Sequence, residues 1–164
     1  MINLKTERLL RAVLNALESK EEFSLKLEEQ NSDYEGAIFQ LNHQVYRMRL
    51  AKLTPKKKGY FVAVWEKDTT GTNQAYNYEE SPKKLIVSVI DGEKCGQFIF
   101  PKHALLTYGI LKNANQKGKM AFRLYPSWVS GLNAAAKKTQ AWQSAYFIDL
   151  SKGFEVEKLK EMYF

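Results

Sequence analysis

Leu85 to Phe100 reads LIVSVIDGEKCGQFIF. Leu85 to Ile90 is an uncharged run rich in β-branched residues, the mark of a buried central strand. Asp91-Gly92 is a turn signal, and Gln97 to Phe100 beyond it reads as a returning strand. A sheet therefore forms the centre of the molecule, and the rest of the chain is read as its surroundings.

Toward the N-terminus, Asp68 to Pro82 carries Thr-Thr-Gly-Thr-Asn and a Tyr/Asn/Glu-rich run, which predicts a long excursion. Before it stands Arg47 to Trp65, RMRLAKLTPKKKGYFVAVW, in which six of the twelve residues from Arg47 to Lys58 are basic. Alternation predicts a strand from Val45 to Leu53. Val45, Arg47, Arg49 and Ala51 share one face and Tyr46, Met48, Leu50 and Lys52 the other, so the two arginines are expected to point together, away from the more apolar side. Thr54-Pro55 ends that strand, because proline lacks a ladder donor and biases its predecessor to extended geometry. Lys56, Lys57 and Lys58 then sit on a turn, and Gly59 releases the chain into Tyr60 to Trp65. Ala37, Phe39 and Leu41 alternate ahead of an Asn42-His43 turn, giving a hairpin with the Val45 strand. Leu9, Leu10, Val13, Leu14 and Leu17 recur at helical spacing, which predicts a helix over 6–19 with Thr6 as N-cap. The acidic stretch Glu18 to Glu29 reads as solvated loop or a short second element.

Toward the C-terminus, Pro101 suits the first turn of a helix to about Leu111, and Lys119 to Tyr125 resumes alternation. Ala134, Ala135, Ala136 and Ala141 favour a helix from Asn133 to about Tyr146. Phe147 to Leu150 reads as a short strand and Phe154 to Tyr163 as a further helix. The class is α+β: a mixed, mainly antiparallel sheet flanked by helices. The 164 residues fit one compact domain, 1–164, with no linker-like tract dividing them.

The net charge of +7 is uneven. Residues 1–40 carry five Lys/Arg against eight Asp/Glu, residues 41–140 seventeen against six, and residues 141–164 three against four. From Lys94 to Ile148 there is no carboxylate at all. Such a stretch suits a polyanionic partner. Met1 to Lys20 lacks a signal-peptide core and no apolar run is long enough for a membrane span, so a cytoplasmic protein without membrane contact is expected. One cysteine, Cys95, precludes an internal disulfide, and with two histidines, His43 and His103, a Cys/His zinc site is not expected. No nucleophile elbow, phosphate-cradling P-loop or H-E-x-x-H motif is present.

The phrases AKLTPKKKGYFVAVW (51–65), GQFIFPK (96–102), GKMAFRLYPSW (118–128) and AWQSAYFI (141–148) resemble, in order and spacing, the signatures of the bacterial MepB-like family. The resemblance runs from about Tyr34 to Ile148. It falls on Lys52, Thr54, Pro55, Lys57, Gly59, Phe61 and Trp65, then on Gln97, Pro101, Arg123, Tyr125, Pro126 and Trp128, and finally on Gln140, Trp142 and Gln143. It implies a restriction-endonuclease-like α/β core and hence contact with DNA. It also implies genomic company with a multidrug efflux pump and its repressor, which leaves a small-molecule or protein-interaction module as an alternative. Where relatives place an aspartate before the central strand, this chain has Lys83-Lys84, a departure that weakens the case for a metal carboxylate there.

A magnesium-dependent nuclease of that kind needs a carboxylate and an E-x-K or Q-x-K pair on adjacent strand ends. The one E-x-K here, Glu18-Ser19-Lys20, follows the first helix. Catalytic candidates under that alternative are Glu35, Glu66 and Asp91, with Mg²⁺ as the implied cofactor; otherwise neither cofactor nor metal is expected. The leading expectation is a nucleic-acid-binding protein, with duplex or branched DNA the favoured form and no evident catalytic motif. The expected phosphate contacts are Arg47, Arg49, Lys52, Lys56, Lys57, Lys58, Arg123, Lys137 and Lys138, and the expected stacking rings are Tyr125, Trp128 and Trp142.

Overall fold

The computed structural model describes residues 4–21 and 23–164. A six-stranded sheet runs in the order β1 (Ser24–Leu27), β2 (Ala37–Leu41), β3 (Gln44–Leu50), β8 (Lys84–Asp91), β9 (Lys94–Pro101), β11 (Phe147–Asp149). All its pairings are antiparallel except β3 with β8. The chain between those two parallel neighbours, residues 51–83, builds β4 (Lys52–Leu53), β5 (Tyr60–Ala63), β6 (Trp65–Lys67) and β7 (Asn73–Ala75). Strands β4 and β5 join β10 (Ala121–Leu124) in a three-stranded sheet, and β6 pairs with β7. The expected class, α+β with a mixed and mainly antiparallel sheet, is the one observed.

Strand alternation splits the core across the main sheet. Tyr46, Met48, Ile86 and Ile99 pack on one face, beneath α1 (Lys5–Ala16) and α4 (Val156–Tyr163). Val87, Val89, Phe98 and Phe100 pack on the other, against Tyr60, Val62, Phe122 and Leu124 of the three-stranded sheet and Leu105 of α2 (Lys102–Thr107). Because both faces are covered, β8 needs apolar residues at consecutive positions, which accounts for the run that opens the sequence reading. The one polar residue inside it, Ser88, is 2% exposed and accepts from Gln97 Nε2. Gln97 Oε1 in turn accepts from the buried hydroxyl of Tyr163 at 2.5 Å, so α4 is held by a polar contact as well as by Leu159.

Several boundaries differ from expectation. Helix α1 begins at Lys5 with Leu4 at its N-cap, and Thr6 lies buried inside the first turn. The capping acceptor comes from elsewhere: Glu35 accepts from Thr6 N at 2.9 Å, Thr6 Oγ1 at 2.6 Å and Lys5 N at 3.2 Å. The strand expected over 45–53 breaks at Ala51, where the chain leaves the main sheet for the smaller one. The 68–82 excursion contains β7, while the acidic stretch holds β1, a short second element, which is one of its two expected forms. Helix α2 ends at Thr107, a turn short of the expected limit, and α3 occupies Ala134–Gln143 followed by a 3-10 turn, Ser144–Tyr146.

Candidate functional site

Arg47 and Arg49 do share a face of β3, but that face points inward. Toward its C-terminal end β3 is covered on both sides, so Arg49 meets the core, whereas Val45 on the same face near the strand's start is 41% exposed. Arg49 is 0% exposed. Its Nη1 donates to Glu28 Oε1 at 2.6 Å and to Met48 O, its Nε to Ala63 O, and its Nη2 to the Tyr76 hydroxyl at 2.6 Å. Tyr76 donates to the other oxygen of Glu28 at 2.9 Å. Arg47 donates its Nε to the same Glu28 at 3.3 Å and lays its guanidinium over the Tyr76 ring, 3.5 Å from the centroid. Burial pushes the Tyr76 phenol up, with the two guanidinium groups opposing that rise. The outward orientation expected for the two arginines is thus corrected: a buried charge must be paired, and Glu28, read as solvated, supplies the partner.

The remaining basic residues of the same block stay outside. Lys52, Lys56, Lys57 and Lys58 are all exposed. Lys52 reaches over the Tyr34 ring at 5.1 Å. The turn that carries the other three is held from β10 by Arg123, whose Nη2 donates to Thr54 Oγ1 at 2.6 Å and Lys58 O at 2.8 Å; its buried Nε has no protein partner among the described residues. Gly59 at φ +86 brings the backbone so close to Tyr125 that a Cβ would lie 2.7 Å from its ring. Lys58 Nζ donates across to Ser130 O and Gly131 O, tying the turn to the loop before α3. Among the described residues, Lys56 and Lys57 have no ion-pair partner.

These ties enclose a cleft of about 520 Å³ lined by Lys57, Lys58, Arg123, Tyr125 and, across from them, Asn133, Ala135 and Ala136 of the α3 N-terminus. Asn133 caps the helix by accepting from Ala136 N at 2.9 Å. Among the described residues no carboxylate lines the cleft. Helix α3 buries few side chains and is fixed instead by two glutamines. Gln143 lies fully buried and pairs with the β10 backbone, accepting from Tyr125 N at 3.0 Å and donating to Arg123 O at 2.9 Å. Gln140 donates to Pro126 O and Val129 O. Cations, backbone dipoles and the Tyr125 side chain are thereby fixed around one concavity, an arrangement that can hold an anion.

Lys137 and Lys138 are exposed on α3, though neither lines this cleft; Lys137 borders a neighbouring one of about 480 Å³ that also carries Asp149 and Glu155. Trp128 faces inward, edge-on to Tyr60 and Phe147, with its indole N–H donating to the Tyr60 hydroxyl at 3.1 Å. Trp142 is half-buried against Phe100 and covered by Tyr108, whose ring stacks on it at 4.1 Å and 7°. The three carboxylates raised as catalytic candidates do not meet. Glu35 caps α1, Glu66 accepts from Gln74 within the β6/β7 hairpin, and Asp91 accepts from Tyr60 at 2.7 Å. Among the described residues no group of three or more His, Cys, Asp or Glu is placed to hold a metal ion, and no helix is long and apolar enough to cross a membrane. Sequence reasoning missed Glu28, Thr139 and Tyr108; nothing in their local pattern marks them.

The architecture has a counterpart among solved structures. A family model described as MepB-like matches residues 28–149. The chain belongs to the MepB-like family. Its fold matches the crystal structure of MepB with a TM-score of 0.80 at 42% identity, covering 92% of this chain and 99% of that one. A looser likeness, TM-score 0.44 at 13% identity over 83% of this chain and 90% of that one, is to a bacterial homing endonuclease. Among curated proteins none matches the sequence. Of the residues on which the resemblance falls, Lys57, Arg123 and Tyr125 line the cleft, while Thr54, Gly59, Gln140 and Gln143 fix its walls.

Proposed function

We propose that this MepB-like protein binds nucleic acid, with DNA as the favoured form, and that the cleft between the Lys56 to Lys58 turn and the start of α3 is where phosphate is held. The observation that carries this reading is the convergence of Lys57, Lys58 and Arg123 on a carboxylate-free concavity beside a helix N-terminus. Lysine and arginine neutralise phosphates and release counterions, and a helix start adds unsatisfied N–H groups of the same sign. Lys52, Lys56, Lys137 and Lys138 extend the field around the cleft. Arg49 leaves the contact set because it is sealed in the core, and Arg47 because it is spent on Glu28 and Tyr76. Trp128 leaves the stacking set, since its ring is packed inward. The magnesium-nuclease reading has no observation in its favour, as Glu35, Glu66 and Asp91 each serve a different part of the fold.

Fluorescence anisotropy with a labelled DNA duplex bearing a single-stranded tail tests the proposal. Affinity is expected to fall steeply between roughly 50 and 200 mM salt, and Lys56→Ala/Lys57→Ala to weaken binding for every sequence alike. A flat salt response, or unchanged affinity in the double variant, refutes it.

A further inference from the structure

The phosphate cleft does not end at Tyr125. A second cleft of about 330 Å³ shares Arg123, Tyr125 and Thr139 with it, and its other walls are of a different kind: Phe61, Tyr108, Phe122 and Trp142, with Lys119 at the rim and the amide of Gln143. It too is free of carboxylates. One concavity is cationic, the adjoining one aromatic, and three side chains stand between them.

Tyr108 adds an independent observation. It lies flat on Trp142, yet 44% of it is exposed, so one ring face is used by the indole while much of the residue remains open to solvent.

We propose that the two clefts together accept one unpaired nucleotide of a single-stranded segment: its phosphate lies beside Lys57 and Arg123, and its base enters the aromatic cleft against Tyr108, which Trp142 backs from behind. The inference rests on the nucleic-acid reading above and names the form of nucleic acid recognised. A volume of this size is at the small end of ligand sites, which run from roughly 300 to 1,000 Å³. It can admit a base that has left its stack but not a base pair within a duplex, whose faces are already covered. Stacking on aromatic rings with backbone contacts to cations is the general chemistry of single-strand recognition, and it tolerates any base. Both ends of the Gln143 amide are engaged by the backbone of Arg123 and Tyr125, so stacking on the ring, and not that amide, is what holds the base.

The test compares an oligothymidine strand with a blunt duplex of equal length at one salt concentration. The single strand is expected to bind more tightly. Tyr108→Ala should weaken single-strand binding roughly five- to a hundredfold while leaving blunt-duplex binding unchanged, and its urea midpoint reports any loss from uncovering Trp142. Tyr108→Phe keeps the ring and should retain the affinity. Lys57→Ala should weaken both probes. If the blunt duplex binds as well as the single strand and Tyr108→Ala affects neither, the nucleotide site is wrong while nucleic-acid binding stands. Loss of single-strand affinity in Tyr108→Phe as great as in Tyr108→Ala would also overturn it, since the ring would not be the source. If neither probe binds, the nucleic-acid reading fails with it.

Discussion

Arg49 and Lys57 stand eight positions apart in one basic block and meet opposite fates. Arg49 lies on a strand whose two faces are both covered, and its charge is consumed by Glu28, Tyr76 and two backbone carbonyls. Lys57 lies on a turn of the smaller sheet, exposed and without an ion-pair partner among the described residues. The lesson is that a charge cluster in sequence is two different things in space. What separates them is the number of layers the strand lies between and whether a carboxylate is within reach.

Four experiments break or sharpen this contrast. The largest effect is expected at the interior pair: Arg49→Ala, or Glu28→Ala, should cost about 3–5 kcal/mol, because the partner left behind stays buried and charged. Urea denaturation reads this directly, and a loss below 1 kcal/mol would mean that the pair is not sealed from water. Alkaline titration should come next. Tyr46 and Tyr60, one on each side of the main sheet, are pushed up to about 12, both by burial first, Tyr60 also by its hydrogen bond to Asp91. A raised native value means the neutral phenol favours folding, so this stability is fully present below the ordinary value of 10.0 and is lost as pH climbs through about 12. The slope is about 1.4 kcal/mol per pH unit for each phenol. Denaturation midpoints measured across that window should fall for the parent chain and fall less for Tyr60→Phe.

A smaller loss is expected at the cap of α1. Glu35→Ala removes the acceptor for Thr6 and Lys5 and should cost about 1 kcal/mol, read as a shift in thermal midpoint. If DNA cleavage were found instead and disappeared in this variant without loss of stability, Glu35 would have a chemical role in place of a structural one. Smallest in stability is Lys57→Ala, expected within about 0.5 kcal/mol of the parent. The same substitution should reduce the slope of log affinity against log salt by about one, so the outer member of the contrast shows in binding and not in folding.

Much of this was legible in the residues. The run from Leu85 to Ile90, the Asn42-His43 turn and the Ala-rich start of α3 signal their structures through local rules, and the structure follows them. What was not legible depends on partners distant in sequence. Nothing near Glu28 says that two guanidinium groups will reach it from β3, and nothing near Thr6 says that its cap will be Glu35. Arginine direction was read from alternation, which gives the shared face correctly but cannot say which face meets a second layer. The cleft shows the same division. Lys57 and Arg123 were visible as charges, whereas Tyr108 entered the site only through its stack on Trp142.

The parallel pairing of β3 with β8 bears on the order in which the molecule assembles. The β2/β3 and β8/β9 hairpins close over a few residues, while joining them requires the ends of residues 51–83 to meet, an entropic toll that slows folding. That intervening segment holds the lysine turn, and its own sheet is completed by β10 from much later in the chain. The cleft should therefore mature late, so that a refolding time course followed by far-ultraviolet dichroism reaches its hairpin signal before the proposed DNA binding returns. A newly made or half-unfolded copy would carry all the same positive charge and yet lack the grip.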